Sequence, residues 1–188
     1  MVSEDEWAER NLGQIRSSLR KLFGLVWGLD AALKFLPQTP FWFSERVLAA
    51  SIGQPAWLGS WFAFWVHQTS ASAALDVSRV AGLEFALAFA LFTGFLRKLA
   101  YIGGIALSLL IWAVPEGFGG PYVPGSFDIG TGLVYALAFL LLLALEVSHD
   151  SSRGTLDARI ERRIPGWDRW AEVVPQRRST ADGDMGGG

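Results

Sequence analysis

The sequence lacks cysteine altogether, and it is poor in charge and in histidine. None of its 188 residues is cysteine, 18% are charged and 2 are histidine. Without cysteine, this chain cannot carry disulfides, iron–sulfur clusters, a c-type haem attachment or thiol redox chemistry. The same absence excludes the Cys-x-x-Cys quinone-coupled disulfide oxidoreductases, a class that this composition would otherwise fit. No metal constellation stands out either, and we expect no metal.

Apolar residues are what the sequence has in quantity. They make up 51% of the chain, and the mean hydropathy is +0.30. Four apolar runs approach the ~20 residues that a helix needs to cross a bilayer: Leu19–Leu36, Val80–Leu96, Leu99–Val114 and Ile129–Val147. We therefore predict an all-α protein, a polytopic membrane four-helix bundle over residues 19–147, between a segment at 1–18 and another at 148–188.

The placement of basic residues predicts an orientation. All 16 Lys and Arg residues except Lys34, Arg46 and Arg79 lie before or at the start of the first run, between the second and third, or after the fourth. Basic residues favour the cytoplasmic side of a membrane. The pattern predicts a multi-pass cell-membrane protein with four spans, both termini in the cytoplasm and two long outer loops.

Two further segments have a distinctive composition. The stretch Trp57–His67 is rich in aromatic residues but too short to span, which predicts an interfacial or re-entrant helix at the outer face, with a fifth span as the alternative. In the C-terminal segment, Leu156, Ile160 and Ile164 recur every four residues. They predict a cytoplasmic amphipathic helix on the inner leaflet, or a solvated one, followed by a disordered tail.

The loop Pro115–Gly130 interleaves aromatic and acidic residues with proline and glycine, which disfavour regular helix. We interpret it as a folded cap over the site. Phe118 and Tyr122 are typical of an interfacial aromatic belt, and together with Trp112 they also suit the ring of a quinone. Asp128 is expected to cap the fourth helix.

Charged residues within apolar runs are the candidates for chemistry, because such charges are costly without a partner or a purpose. Asp30 and Lys34 are four residues apart and can pair, either as a structural ion pair or as a proton relay. Glu84 should face protein and can accept a proton. Arg79 suits contact with an anionic substrate, since guanidinium binds oxyanions well.

Several motifs resemble the DoxX/DoxD membrane family, and its DoxD branch most closely. They are Trp27, Lys34, Phe35 and Pro37, then Glu84-Phe85, EGFGGPY at Glu116–Tyr122 and DIG at Asp128–Gly130. The resemblance implies the membrane subunit of a thiosulfate:quinone oxidoreductase, which joins two thiosulfates into tetrathionate and passes two electrons to quinone. It also implies a second, smaller subunit. Quinone would be the only cofactor, bound non-covalently.

These observations together give a set of predicted roles. Glu84 and Asp30 are predicted to be catalytic and to handle protons. The predicted substrate-binding residues are Arg79, Lys34, Arg46 and Glu116, and the quinone-binding residues are Phe118, Tyr122 and Trp112. The alternatives are a non-catalytic membrane anchor or assembly subunit of a redox complex, and a small carrier for an anion. The lipid bilayer, quinone and a partner subunit are the expected partners, and nucleic acid is not.

Overall fold

The computed structural model describes residues 4–120, 128–148, 155–164 and 166–172, and every regular element within them is helical. The all-α prediction is therefore confirmed for this part of the chain. The α-helices are α1 (Glu4–Leu33), α2 (Thr39–Ser51), α3 (Gly59–Thr93), α4 (Arg97–Ala113), α5 (Thr131–Ser148), α6 (Leu156–Glu161) and α7 (Asp168–Ala171). Short 3-10 turns at Ala56–Leu58 and Gly117–Gly119 join some of them.

The core lies where α1, α3, α4 and α5 meet. Trp27, Leu91, Tyr101 and Phe139 are among its fully buried side chains. A Cβ atom at Gly104 would collide with the Phe139 ring, so this ring packs directly on the backbone of α4. Burial of such large rings provides most of the apolar stabilisation of the bundle.

The arrangement of α3 differs from the prediction. The aromatic segment Trp57–His67 was predicted to be a separate interfacial or re-entrant helix. It lies mostly in the first part of the 35-residue α3, which a kink separates from the part that contains Glu84 and which continues into it without a loop. Ser72 interrupts this helix with non-helical torsion angles, and its hydroxyl donates to the carbonyl of Gln68 at 3.0 Å. Side-chain bonds of this kind compete with the helical backbone and bend it. Here α2 packs on α3.

The prediction of a multi-pass protein with four spans and cytoplasmic termini is contradicted. In the part of the chain that the structure describes, no helix combines the length and the apolar character that a membrane crossing requires. The long helix α1 contains Arg16, Arg20, Lys21 and Asp30. The more apolar helices α4 and α5 have 17 and 18 residues, at the short end of the range of about 17–25 residues that spans occupy.

The C-terminal segment also differs from the prediction. Instead of one amphipathic helix through Leu156, Ile160 and Ile164, it forms α6 of 6 residues and α7 of 4 residues, and α7 packs on α4. The carboxylate of Asp157 is fully buried within it. This segment is therefore part of the packed structure up to Glu172.

Candidate functional site

The end of α1 places one ammonium between two carboxylates. Lys34 Nζ donates a hydrogen bond to Asp30 Oδ2 at 2.6 Å and lies 2.8 Å from Glu84 Oε2. The side chain of Glu84 is fully buried, whereas 20% of Lys34 and 47% of Asp30 are exposed. We name these residues the Lys34 cluster. The predicted Asp30–Lys34 pair forms, and Glu84, which was expected to face protein, completes it.

Two glycines determine how closely α1 approaches α3 and so bring Lys34 to Glu84. A Cβ atom at Gly24 would lie 3.0 Å from Leu91 Cβ and 3.1 Å from the carbonyl oxygen of Ala88. At Gly28 it would lie 3.6 Å from Ala88 Cβ. Glycine permits this close approach because it has no side chain. The contacts also show that the two helices run antiparallel.

Burial controls the charge state of Glu84. It raises the pKa of this carboxyl from 4.5 to about 7, although the Lys34 ammonium opposes the shift and the Asp30 charge adds to it. Burial acts to lower the pKa of Lys34, but its contacts with Asp30 and Glu84 outweigh burial and raise it. Neither carboxylate oxygen of Glu84 accepts an aligned hydrogen bond from the described residues.

This arrangement suits proton transfer near neutral pH. A carboxyl group whose pKa lies close to the working pH can both give a proton to a reactant and recover it. A buried acid beside a fixed cation is also a common feature of functional sites. The Lys34 cluster carries one negative charge with Glu84 ionised and none with Glu84 protonated. Protonation therefore changes how the cluster interacts with an anion.

Two of the predicted quinone-binding residues lie together near the end of α4. The rings of Trp112 and Phe118 are 5.2 Å apart and nearly perpendicular, and Trp61 and Phe62 of α3 also pack on Phe118. Phe118 has a φ of 60°, a strained value for a residue with a side chain. Tyr122 lies outside the described residues. The rings of Trp61, Phe62, Trp112 and Phe118 thus form an aromatic cluster, and Trp112 Nε1 also donates to the carbonyl of Ile129 at 2.7 Å.

The remaining predicted substrate-binding residues have separate partners. Arg79 is 61% exposed and lies 3.3 Å from Asp76. Arg46 Nε donates to the carbonyl of Pro115 at 3.2 Å. Glu116 Oε2 accepts a hydrogen bond from the backbone N–H of Gly132 at 2.8 Å, so it stabilises the start of α5. The contacts recorded for Arg79, Arg46 and Glu116 do not join them to the Lys34 cluster, and their substrate-binding roles stay predictions.

The cap of α5 was assigned to the wrong acid. We expected Asp128 to cap this helix, but α5 begins at Thr131 and its early N–H at Gly132 donates to Glu116. Asp128 accepts instead from Gly130 N at 3.0 Å, within the loop. An acid far back in a loop can take the capping role because the chain returns to the helix start.

A second group of buried charges was not found from the sequence. Arg97 is 3% exposed and lies 2.9 Å from Glu146, 3.3 Å from Asp157 and 3.6 Å from Glu172. We name these four residues the Arg97 cluster. From the sequence, Arg97 is only one of the basic residues between the second and third apolar runs. The available signal was an acid-containing segment after the last apolar run, but nothing in its spacing indicates the partner.

Comparisons with protein-family models, curated proteins and solved structures give no match for this chain. The resemblance to the DoxX/DoxD family therefore stays a prediction from the residues that carry it.

Proposed function

We propose that this chain is a redox subunit that reduces quinone, with Glu84 supplying protons through the Lys34 cluster. The observation that carries the proposal is the buried Glu84 carboxyl, whose pKa is about 7 and which lies 2.8 Å from Lys34 Nζ. Quinone reduction takes up two protons with its two electrons, and a buried acid that titrates near neutrality can supply them in turn. Asp30, half-exposed beside Lys34, returns protons from solvent to Glu84.

The electron donor in this proposal is a reduced sulfur anion, as the family resemblance implies. Two thiosulfate ions form one S–S bond, giving tetrathionate and releasing two electrons. Quinone accepts these electrons and two protons and becomes quinol, so the reaction balances without another reactant. When Glu84 is protonated, Asp30 alone balances Lys34 and the cluster has no net charge. The cluster then does not repel an arriving dianion, as it does with Glu84 ionised.

In this proposal the quinone ring binds against the aromatic cluster. Glu84 lies opposite the end of α1, and Trp112 lies at the end of α4. Because α1 is antiparallel to α3 and α4 follows α3 after a tight turn, both ends face the same side of the bundle. Trp112 would stack against the quinone ring and Phe118 would meet its edge, because these two side chains are nearly perpendicular.

The test is quinone reduction by the purified chain across a panel of reduced sulfur compounds, with and without a candidate partner subunit. We expect thiosulfate to support quinol formation. Glu84→Gln should reduce the rate at least ~100-fold, because a positioned acid typically contributes that much. The control is Glu45→Gln, the same change at an exposed acid of α2. No quinol formation with any compound, even with the partner, would overturn the proposal.

A second candidate function is a non-catalytic assembly subunit of a redox complex. The observation that favours it is the large amount of exposed apolar surface, which in a folded protein commonly marks an interaction site. Exposed side chains of this kind include Leu22, Leu29, Leu33, Leu83, Phe85, Phe89, Phe92, Leu137, Leu140 and Leu141. Co-purification of quinone favours the catalytic proposal, whereas a quinone-free chain that captures a redox partner favours this one.

A further inference from the structure

The buried carboxylate of Asp157 is the best-satisfied acid among the described side chains. It accepts hydrogen bonds from the backbone N–H groups of Leu96 at 2.8 Å and Arg97 at 3.2 Å. It also accepts from Arg97 Nε at 3.3 Å and from Trp167 Nε1 at 3.1 Å. Asp157 is fully buried, so these donors replace its water completely.

The position of these donors is the N-terminus of α4. The first N–H groups of a helix have no partner within it, and they carry partial positive charge. Leu96, the residue before α4, has a φ of 46° and makes no capping hydrogen bond with its own side chain. Asp157 therefore supplies from 60 residues away the cap that the local sequence lacks.

Two buried guanidinium groups lie at this turn, whose residue Gly94 accepts a hydrogen bond from Asp157 N at 3.2 Å. Arg97 contacts Asp157 directly, and it also pairs with Glu146 and Glu172. Arg20 is 5% exposed, and its Nη1 has no hydrogen-bond partner among the described residues. This nitrogen lies against Gly94, where the turn between α3 and α4 begins, since a Cβ atom there would collide with it.

The charges show what the position would prefer if Asp157 were absent. Glu146 and Glu172 would then balance Arg97 and Arg20, and the helix N–H groups would be left without an acceptor. A buried N–H without a partner costs roughly 1–3 kcal/mol. The position would therefore favour a small anion with two acceptor oxygens, the geometry that a guanidinium recognises best.

We propose that the turn between α3 and α4 is a carboxylate-binding site, formed by the α4 N-terminus, Arg97 and Arg20, which Asp157 of the C-terminal segment occupies. A free carboxylate of formate or acetate size binds there when the Asp157 side chain is removed. The segment from Thr155 to Glu172 is thus held by a ligand-like contact, and Trp167 reinforces it by packing on Phe95 at 5.8 Å.

The experiment is chemical rescue in the full chain. Asp157→Ala should lower the Tm, and formate should raise it again in a saturable way, because a ligand that binds only the folded state stabilises it. Acetate should restore the Tm less than formate does, because its methyl group needs additional room. Chloride at equal ionic strength should not restore the Tm. The wild-type chain, whose site is occupied, should show no saturable response to formate.

Asp168→Ala is the matched control, because it removes the same side chain from the same segment, where Asp168 is only half-buried. It should show no specific response to formate. A Tm of Asp157→Ala that responds to formate no more than to chloride overturns the proposal. If this variant does not fold, its refolding yield in formate against chloride replaces the Tm, and an equal yield in both overturns the proposal in the same way.

Discussion

The Lys34 cluster and the Arg97 cluster both bury charge, yet they satisfy it differently. In the Lys34 cluster one ammonium serves two carboxylates, and buried Glu84 accepts no aligned hydrogen bond from the described residues. In the Arg97 cluster Asp157 accepts hydrogen bonds from two backbone N–H groups, a guanidinium and an indole. Burial raises the pKa of Glu84 to about 7, whereas four donors replace the water that burial removes from Asp157. The first cluster is therefore suited to proton exchange and the second to stability.

Replacing Arg97 is the strongest test of whether the Arg97 cluster stabilises the fold. Arg97→Met leaves Glu146, Asp157 and Glu172 without their shared cation. Breaking a buried pair in this way costs about 3–5 kcal/mol, because an uncompensated charge stays buried. Denaturant unfolding should show this loss in the free energy of unfolding.

The control for Arg97 is its neighbour in the chain. Lys98→Met removes the same charge from a side chain that is only partly buried. Its effect should stay within ~1 kcal/mol. An Arg97 variant no less stable than the Lys98 variant would contradict the assignment of the Arg97 cluster to stability.

The pH dependence of the free energy of unfolding tests whether Glu84 of the Lys34 cluster exchanges its proton near neutral pH. Glu84 binds its proton more tightly in the folded state, where its pKa is about 7, than in the unfolded state, where it is near 4.5. Its contribution to stability is therefore fully present below about pH 4.5 and is lost as the pH rises through about 7. This shift corresponds to ~3 kcal/mol.

Glu84→Gln should remove that slope. We expect the variant to be closest to wild type in acid and to gain relative stability towards pH 8. Unfolding curves recorded from pH 5 to pH 8 measure the difference between the two chains, and Glu45→Gln is the control. A difference that stays constant over this range would show that Glu84 does not titrate there.

Widening the contact between α1 and α3 should weaken the Lys34 cluster with a smaller effect on stability. Gly24→Ala places a methyl group 3.1 Å from backbone atoms of α3, so α1 and α3 must shift apart by a few tenths of an ångström. Such overpacking costs about 1–3 kcal/mol. Gly13→Ala is the matched control, since a Cβ atom at Gly13 of α1 meets no other atom within 4 Å.

The Gly13 variant should be neutral or up to ~1 kcal/mol more stable, because alanine favours helix. Carboxyl titration followed by NMR should also show a changed pKa for Glu84 in the Gly24 variant alone. An unchanged pKa together with a loss of stability would separate helix packing from the electrostatics of the cluster.

Local patterns in the sequence predicted the part of the site that depends on local spacing. Asp30 and Lys34 pair because residues four apart share a helix face. Glu84 was expected to face protein because a charge in an apolar run needs a partner, and Lys34 is that partner. Helical structure at α4 and α5 followed from their apolar runs. The membrane prediction failed on the same runs, because the longer helices carry charge and the more apolar ones are short.

What the sequence did not predict depends on distant contacts. A kink at Ser72 divides α3, so the aromatic segment and the run from Val80 form two helical parts that follow one another without a loop. The pairing of Asp157 with Arg97 spans 60 residues. Its contribution to stability depends on how the C-terminal segment returns to the bundle. No periodicity within either segment contains that information.

Replacing Arg79 should change the free energy of unfolding least of all these substitutions. Any effect on the KM for thiosulfate can therefore be assigned to binding and not to folding. Its pair with Asp76 is exposed, and exposed pairs contribute at most ~1 kcal/mol. Arg79→Ala should therefore leave the free energy of unfolding nearly unchanged. If Arg79 binds the sulfur anion as predicted, this variant should raise the KM for thiosulfate while kcat and stability stay near wild type. An unchanged KM would remove Arg79 from the site and leave Lys34 and Arg46 as the cations predicted to bind the anion.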